Sequence, residues 1–282
     1  MLKSADAGLA ANKQLVFDMW RSIVNAGRVE LADEMLQEGY IQHSPVLPTG
    51  RAAFKRIFSA VPRSTIPDLV SPPLVAMVAE GDRVVMALRD TLTDPTGEQY
   101  TSTHFNMFRI EDGRLAEHWH SLADSPGADV LPPEQGGPQP VTGIVGTGQA
   151  DLLASEDPEL AVRKRLAYVA LRDLFVAGGE GQARDYLTKG YGEHDPNGFT
   201  GREQFGQGSL QDVIGAPLVA VVAEGNLVVL VTGRVEQHPF DAMRTYTTTR
   251  FDMFRIESGR IAEHWSGSVR PGQAPFAVGS AK

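Results

Sequence analysis

The sequence predicts an α+β protein made of two copies of one domain, each with helices first and antiparallel strands after them. Residues 107–119 (MFRIEDGRLAEHW) recur at 253–265 (MFRIESGRIAEHW), with eleven of thirteen positions identical. Apolar residues over 12–24 follow the spacing of an amphipathic helix, and a series of strand-like runs comes later. Those runs lie near 73–80, 83–92, 100–110 and 114–122. Helices followed by a run of antiparallel strands indicate an α+β fold and not a doubly wound sheet.

Two further blocks recur in the same order and set the domain boundaries. Residues 40–45 resemble 191–196, and residues 73–81 resemble 217–225. Between the copies lies a segment rich in proline and glycine, a composition typical of a linker. The predicted organisation is domain 1 at 1–123, a linker at 124–157, domain 2 at 158–270 and a tail at 271–282.

Composition excludes several classes of protein. The chain has 282 residues, a net charge of −9 and no cysteine, which removes disulfides, thiol nucleophiles and zinc–thiolate sites. An acidic chain without a basic stripe is a poor nucleic-acid binder. No apolar run approaches a membrane span, and no secretory signal is recognised at the N-terminus. We therefore expect a cytoplasmic protein whose partner is a small molecule, with neither nucleic acid nor membrane involved.

The last hairpin of each repeat predicts which side chains share a sheet face. Gly113 suits a three-residue turn with a bulge, which pairs Ile110 with Arg114. The pairs predicted to lie opposite each other are His104 with His120, Asn106 with His118, Arg250 with Ser266, and Asp252 with His264. A two-residue turn would instead put His104 and His120 on opposite faces.

The Tyr-Ile-Gln-His-Ser-Pro element at 40–45 and the Glu-His-Trp element at 117–119 resemble the SnoaL-like polyketide cyclase branch of the NTF2-like superfamily. The resemblance implies two cone-shaped α+β domains, each a curved antiparallel sheet packed on N-terminal helices around an apolar pocket. It also implies pairing through the sheets, so the repeats are expected to form an internal pseudo-dimer, with further homo-oligomerisation left open. Members of that family carry out aldol cyclisation without a cofactor. They typically place an aspartate directly after Glu-His-Trp as the base, where this sequence has His120 and Ser266.

His104 and His120 are the strongest catalytic candidates, because neutral imidazoles exchange protons with carbon acids near neutral pH. In the leading hypothesis His120 is the base, His104 its partner, and His43 orients the substrate. The alternatives are a pair that binds without catalysing and a metal site that includes His118. No metal ligand and no cofactor is assigned.

Other polar residues are candidates for substrate binding. They are Tyr40, Asn106, His118, His194, Arg250, Asp252 and His264. Each has a structural alternative: His43 and His194 could cap the loop before a proline, and Tyr40 could simply pack under the helices. Asp252 with His264 is either a carboxylate–imidazole dyad, with Arg250 holding an anionic group, or a buried salt bridge. Trp119 and Trp265 are expected on the outer sheet face, at a domain interface.

The functional prediction is a small-molecule acid–base enzyme of cyclase, isomerase or lyase type. It would act on an apolar carbonyl or polyketide-like metabolite in the pocket of domain 1. The first alternative is a non-catalytic small-molecule-binding or interaction module. The second is a histidine-ligated, metal-dependent enzyme.

Overall fold

The computed structural model describes residues 1–121, 125–176, 182–204 and 216–271. The predicted boundary at 123/124 lies outside these ranges, as does all but the first residue of the predicted tail. Within them, every helix is too short or too polar to span a membrane.

The first repeat opens with the helices that the apolar spacing predicts. They are α1 (Ala7–Met19), α2 (Ala32–Met35) and α3 (Arg51–Phe58), and a π-helical turn at Trp20–Val24 extends α1. The Asp6 carboxylate accepts the N–H of Leu9 at 2.9 Å, which caps the start of α1. Val16 and Ile23 are fully buried against the sheet, so the apolar stripe is the face that packs.

A five-stranded sheet follows, in the order β1-β5-β4-β3-β2. Its strands are β1 (Leu36–Gln42), β2 (Leu74–Glu80), β3 (Arg83–Thr93), β4 (Gln99–Glu111) and β5 (Arg114–Ser121). The α+β class and the four antiparallel strands are confirmed. β1 is an addition that makes the sheet mixed, because it pairs with β5 in parallel. β1 was not predicted because its central residues, Gln37-Glu38-Gly39, interrupt the alternation of apolar and polar residues that indicates a strand.

The second repeat has the same topology, in the order β6-β10-β9-β8-β7. Its elements are α5 (Pro158–Ala170), α6 (Ala183–Tyr186), β6 (Leu187–Glu193), β7 (Leu218–Glu224), β8 (Leu227–Gln237), β9 (Thr245–Glu257) and β10 (Arg260–Ser266). The predicted linker contains a short helix, α4 (Gln149–Leu152), that contacts β7. Ile144 forms a bridge to Leu218, so this end of the linker lies along the second sheet.

The β4–β5 turn differs from the prediction. Asp112 and Gly113 both have positive φ, at 50° and 70°, as a two-residue hairpin turn requires. The ladder then shifts between Ile110 and Arg109, which leaves Ala116 as an extra residue. Beyond this bulge Asn106 lies opposite His120, so all four predicted pairs are wrong by two residues. The two-residue turn alone would put His104 and His120 on opposite faces. The extra residue of the bulge shifts the pairing by one further position, so the two histidines share a face, as predicted.

The two faces of each sheet have different neighbours. The inner face packs on the helices of its own repeat. The outer faces of the two sheets pack on each other, with the rings of Phe105 and Phe251 stacked at 5.5 Å. Trp119 lies in this outer layer and Trp265 packs against it, as predicted.

Candidate active site

Three histidines cluster on the inner face of the first sheet. The ring centroids of His104 and His120 are 5.1 Å apart, and those of His118 and His120 are 6.0 Å apart. His118 and His120 are buried, and the His104 side chain is only 15% exposed. The second repeat supports this strand end, because the Thr249 hydroxyl donates to the backbone oxygen of His120 at 2.8 Å.

Burial keeps these imidazoles neutral. It lowers the pKa of His104 to about 4 and that of His118 to about 3. Burial, followed by the neighbouring His104 and His118, lowers the pKa of His120 well below its usual value. A charged imidazole loses its hydration in such surroundings, so the uncharged form is favoured at neutral pH.

His118 is held between two amide groups. Its Nδ1 lies 2.8 Å from the Gln42 side-chain oxygen and its Nε2 lies 2.9 Å from that of Asn106. A neutral imidazole has one N–H, so one of the two amides must turn its NH₂ group toward the ring. The Asn106 NH₂ is buried without a partner in the described part of the chain, which favours turning that amide. His118 and Asn106, both expected to bind substrate, thus bind each other.

Asp90 completes the cluster, and sequence reasoning missed it. Its Oδ2 lies 3.6 Å from Nδ1 of His104, and the residue is 9% exposed. Burial raises the pKa of Asp90 to about 6, so the carboxylate is mostly ionised at neutral pH. A signal was available, because Asp90 continues the inward row of β3 that begins with Val84 and Met86. An acid in an otherwise apolar row is a sign of function.

The other ring nitrogen of His104, Nε2, is buried and lacks a hydrogen-bond partner among the residues that the structure describes. The edge of the Trp20 ring approaches the imidazole, with centroids 6.0 Å apart. Buried polar atoms are rarely left unsatisfied, so this nitrogen is available to a bound molecule.

His43 lies on the other side of the sheet. It follows Gln42, whose side chain points inward, and strand alternation therefore turns His43 outward. Its ring stacks on Trp119 at 4.7 Å, and its Nε2 lies 3.4 Å from Glu117. His43 therefore lies away from His104 and His120. This placement does not support the expectation that His43 orients a substrate beside them.

His194, the counterpart of His43 in the second repeat, and Tyr40 both pack against aromatic rings. His194 stacks on Trp265 at 4.5 Å, as His43 does on its own tryptophan. Tyr40 is 1% exposed and packs edge-on against Phe54, which fits its packing alternative. Burial raises the pKa of the Tyr40 hydroxyl well above its usual value.

The second repeat places a charged network where the first has amides. Nδ1 of His264 lies 2.9 Å from Glu193, and its Nε2 lies 3.0 Å from Asp252. Arg250 donates two hydrogen bonds of 2.8 Å to Asp252. Burial opposes charge on His264, but the two carboxylates more than offset this and raise its pKa to about 10. His264 is therefore an imidazolium in a buried ion network, and it is unsuited to act as a base.

Ser266 takes the place of His120 in the second repeat. Its hydroxyl donates to Asp195 at 2.5 Å, so no imidazole faces the interior at this position. Throughout the described ranges, no three His, Asp or Glu side chains converge as a metal site would require.

The matches to known proteins cover a stretch of this chain about as long as one repeat. Residues 14–125 match the family model described as SnoaL-like polyketide cyclase. No curated protein matches the sequence. Solved structures are also similar to this chain. A putative SnoaL-like polyketide cyclase from Jannaschia sp. CCS1 is 19% identical (TM-score 0.32), with 42% of this chain and 90% of that chain covered.

Two further solved structures are similar over the same share of this chain. TsrD from Streptomyces laurentii is 25% identical (TM-score 0.29), with 42% of this chain and 90% of that chain covered. An NTF2-like protein of unknown function from Mesorhizobium loti is 17% identical (TM-score 0.31), with 42% and 94% covered. The segment from α1 to β5, which carries Asp90, His104 and His120, is thus the part of the chain that matches the SnoaL-like polyketide cyclases.

Proposed function

We propose that the first repeat catalyses acid–base chemistry, without a cofactor, on a small apolar carbonyl compound of polyketide type. The observation that carries this proposal is the pair of neutral, inward-facing imidazoles of His104 and His120, 5.1 Å apart. The family match over 14–125 supports a small-molecule, cyclase-type function in general. Isomerase and lyase reactions of carbonyl compounds begin with the same step, the removal of a proton next to the carbonyl. The expected location of the protein is the cytoplasm.

The geometry favours His104 as the base, the reverse of the assignment made from the sequence. Asp90 lies beside Nδ1 of His104, at 3.6 Å, and its carboxylate can accept the proton on that nitrogen. Nε2 then carries the lone pair, and it is the nitrogen without a partner among the described side chains. When Nε2 takes a proton, the proton on Nδ1 can pass to the adjacent carboxylate, because the pKa of Asp90, about 6, lies above that of His104, about 4.

His120 is suited to the complementary role. As a neutral imidazole it can donate an N–H hydrogen bond to the carbonyl oxygen of the substrate. The C–H bond next to the carbonyl breaks and its proton passes to Nε2 of His104. The electron pair of that bond forms the C=C bond of the enolate, and the carbonyl π pair moves onto the oxygen. In a cyclase the enolate carbon then attacks a second carbonyl of the same molecule, and the new alkoxide takes the proton back.

The surroundings fit an apolar substrate. Trp20, Met86, Leu88 and Phe108 belong to the same buried cluster on the inner face. Apolar surroundings exclude water, and a dry environment strengthens each hydrogen bond made to a developing charge.

Exchange of carbon-bound protons with solvent deuterium tests the proposal without knowledge of the natural substrate. Aryl ketones and 1,3-diketones are incubated with the protein in D₂O, and ¹H NMR follows the loss of the signals next to the carbonyl. We expect exchange faster than in buffer for at least one compound, and its loss in His104→Gln. A compound that binds this repeat but exchanges only at the buffer rate would favour the alternative of a non-catalytic binding module.

A further inference from the structure

The second repeat carries two arginines where the first carries its acid–base residues. Arg234 on β8 and Arg250 on β9 occupy the inward positions that Asp90 and His104 hold in the first sheet. Their cross-strand partners are both threonines, Thr248 opposite Arg234 and Thr232 opposite Arg250. These four side chains form an arginine–threonine patch on one sheet face.

The two threonines are buried with hydroxyls that make no hydrogen bond to the part of the chain that the structure describes. Thr232 is 4% exposed and Thr248 is 7% exposed. A hydroxyl in this position normally has a partner. Since a hydroxyl can donate, an acceptor oxygen brought by a bound molecule would satisfy it.

A cavity of about 350 Å³ adjoins the patch. β10 ends at Ser266, opposite Asp252, and leaves the earlier part of β9 without a partner from β10. The segment 267–269 borders the resulting gap. Residues that line it include Arg234, Glu236, Tyr246, Thr248, Arg250 and Ser268. This volume lies at the lower end of the range for small-molecule sites.

Carboxylates already hold both guanidinium groups in place. Arg234 pairs with Glu236 at 2.9 Å, and Arg250 with Asp252 at 2.8 Å. Asp252 is fully buried and also faces the His264 imidazolium, so its charge is compensated from two sides. The arginines are thereby oriented, and guanidinium and hydroxyl donors together favour a planar oxyanion.

We propose that this patch binds the carboxylate of a small organic acid. The carboxylate oxygens accept from the Thr248 hydroxyl and the guanidinium groups, which line the cavity, and the rest of the molecule lies beside Tyr246. The site is separate from the acid–base cluster, and it does not depend on the function proposed for the first repeat.

Calorimetric titration with benzoate tests the proposal, with benzamide as the neutral isostere and inorganic phosphate as the other oxyanion. We expect benzoate to bind with a stoichiometry of one and benzamide to bind at least about tenfold more weakly, since charged hydrogen bonds are the stronger ones. Absence of benzoate binding, or equal affinity for benzamide, would overturn the proposal. Phosphate binding tighter than benzoate would overturn the assignment to a carboxylate.

Two variants locate the site. Thr248→Val removes a hydroxyl at constant shape, and Arg234→Met removes a guanidinium without unpairing the buried Asp252. We expect each to weaken benzoate binding by about tenfold or more, with thermal melting as a check of folding. Arg89→Met, at an exposed arginine of β3, is the matched control and should stay within about twofold. Unchanged affinity in both Thr248→Val and Arg234→Met would contradict the proposal.

Discussion

His118 and His264 occupy equivalent places in their two sheets, yet His118 lies between two amides and His264 between two carboxylates. The distances from the ring nitrogens to the polar atoms of these partners are nearly the same, 2.8 and 2.9 Å in the first repeat and 2.9 and 3.0 Å in the second. The partners are Gln42 and Asn106 in the first repeat and Glu193 and Asp252 in the second. Because amide and carboxylate have the same shape, the exchange changes the charge of the imidazole without changing its place.

The carboxylate partners of His264 predict that the free energy of unfolding falls as pH rises. The pKa of His264 is raised to about 10 from an ordinary 6.5, so its contribution is complete below pH 6.5 and is lost between pH 6.5 and 10. The expected loss is at most about 1.4 kcal/mol per pH unit. Urea unfolding at several pH values measures it. The double variant Glu193→Gln/Asp252→Asn should lose this slope, and an unchanged slope would contradict the account.

The reverse exchange should charge His118. Asn106→Asp places a carboxylate at the 2.9 Å contact with Nε2, and its Coulomb attraction should raise the pKa of His118 from about 3. We expect the imidazolium form at pH 6, where the wild-type ring is neutral. Nitrogen-15 NMR of the ring distinguishes the two forms. A ring that stays neutral in the variant would show that the amide partners do not set its charge.

Acid should weaken the first repeat before the second. The pKa values of His104, His118 and His120 are lowered by burial, so the native state binds fewer protons than the unfolded state as pH falls below 6.5. The raised pKa of Asp90 has the opposite effect and stabilises the native state as pH falls from about 6 to 4. Because it is a single group, we expect the three histidines to outweigh it. Hydrogen exchange at pH 7 and pH 5 should show lost protection in β4 and β5. Equal loss in β9 and β10 would contradict this.

Two reciprocal ion pairs link the repeats. Lys13 lies 2.7 Å from Glu224, and Lys164 lies 2.5 Å from Glu80. Both lysines are buried, so Lys13→Met leaves a carboxylate without its cation and should cost about 3 kcal/mol of unfolding free energy. Urea unfolding measures the loss. Lys189→Met, at an exposed lysine, should cost less than about 0.5 kcal/mol. Equal losses in the two variants would argue against a stabilising role.

Periodicity and repetition were sufficient to predict the helices and the four antiparallel strands. The shared face of His104 and His120 was predicted from a three-residue turn, and it holds because the observed two-residue turn is followed by a bulge. Periodicity and repetition were insufficient for β1, whose stability comes from pairing with β5 rather than from its own composition. The register between β4 and β5 was also predicted wrongly, because the bulge adds one residue and has no distinctive sequence. Asp90 is close in space to His104 only through β3–β4 pairing, a contact that no local spacing encodes.

The most direct test of the account compares proton exchange at a substrate carbon in wild type, His104→Gln, Asp90→Asn and the control His238→Gln. His238 lies beyond β8, outside both sites. We predict a loss of about 100-fold or more in His104→Gln and about tenfold in Asp90→Asn, since a positioned base contributes at least that much. The control should stay within about twofold. A folded His104→Gln variant that exchanges at the wild-type rate would contradict the central claim.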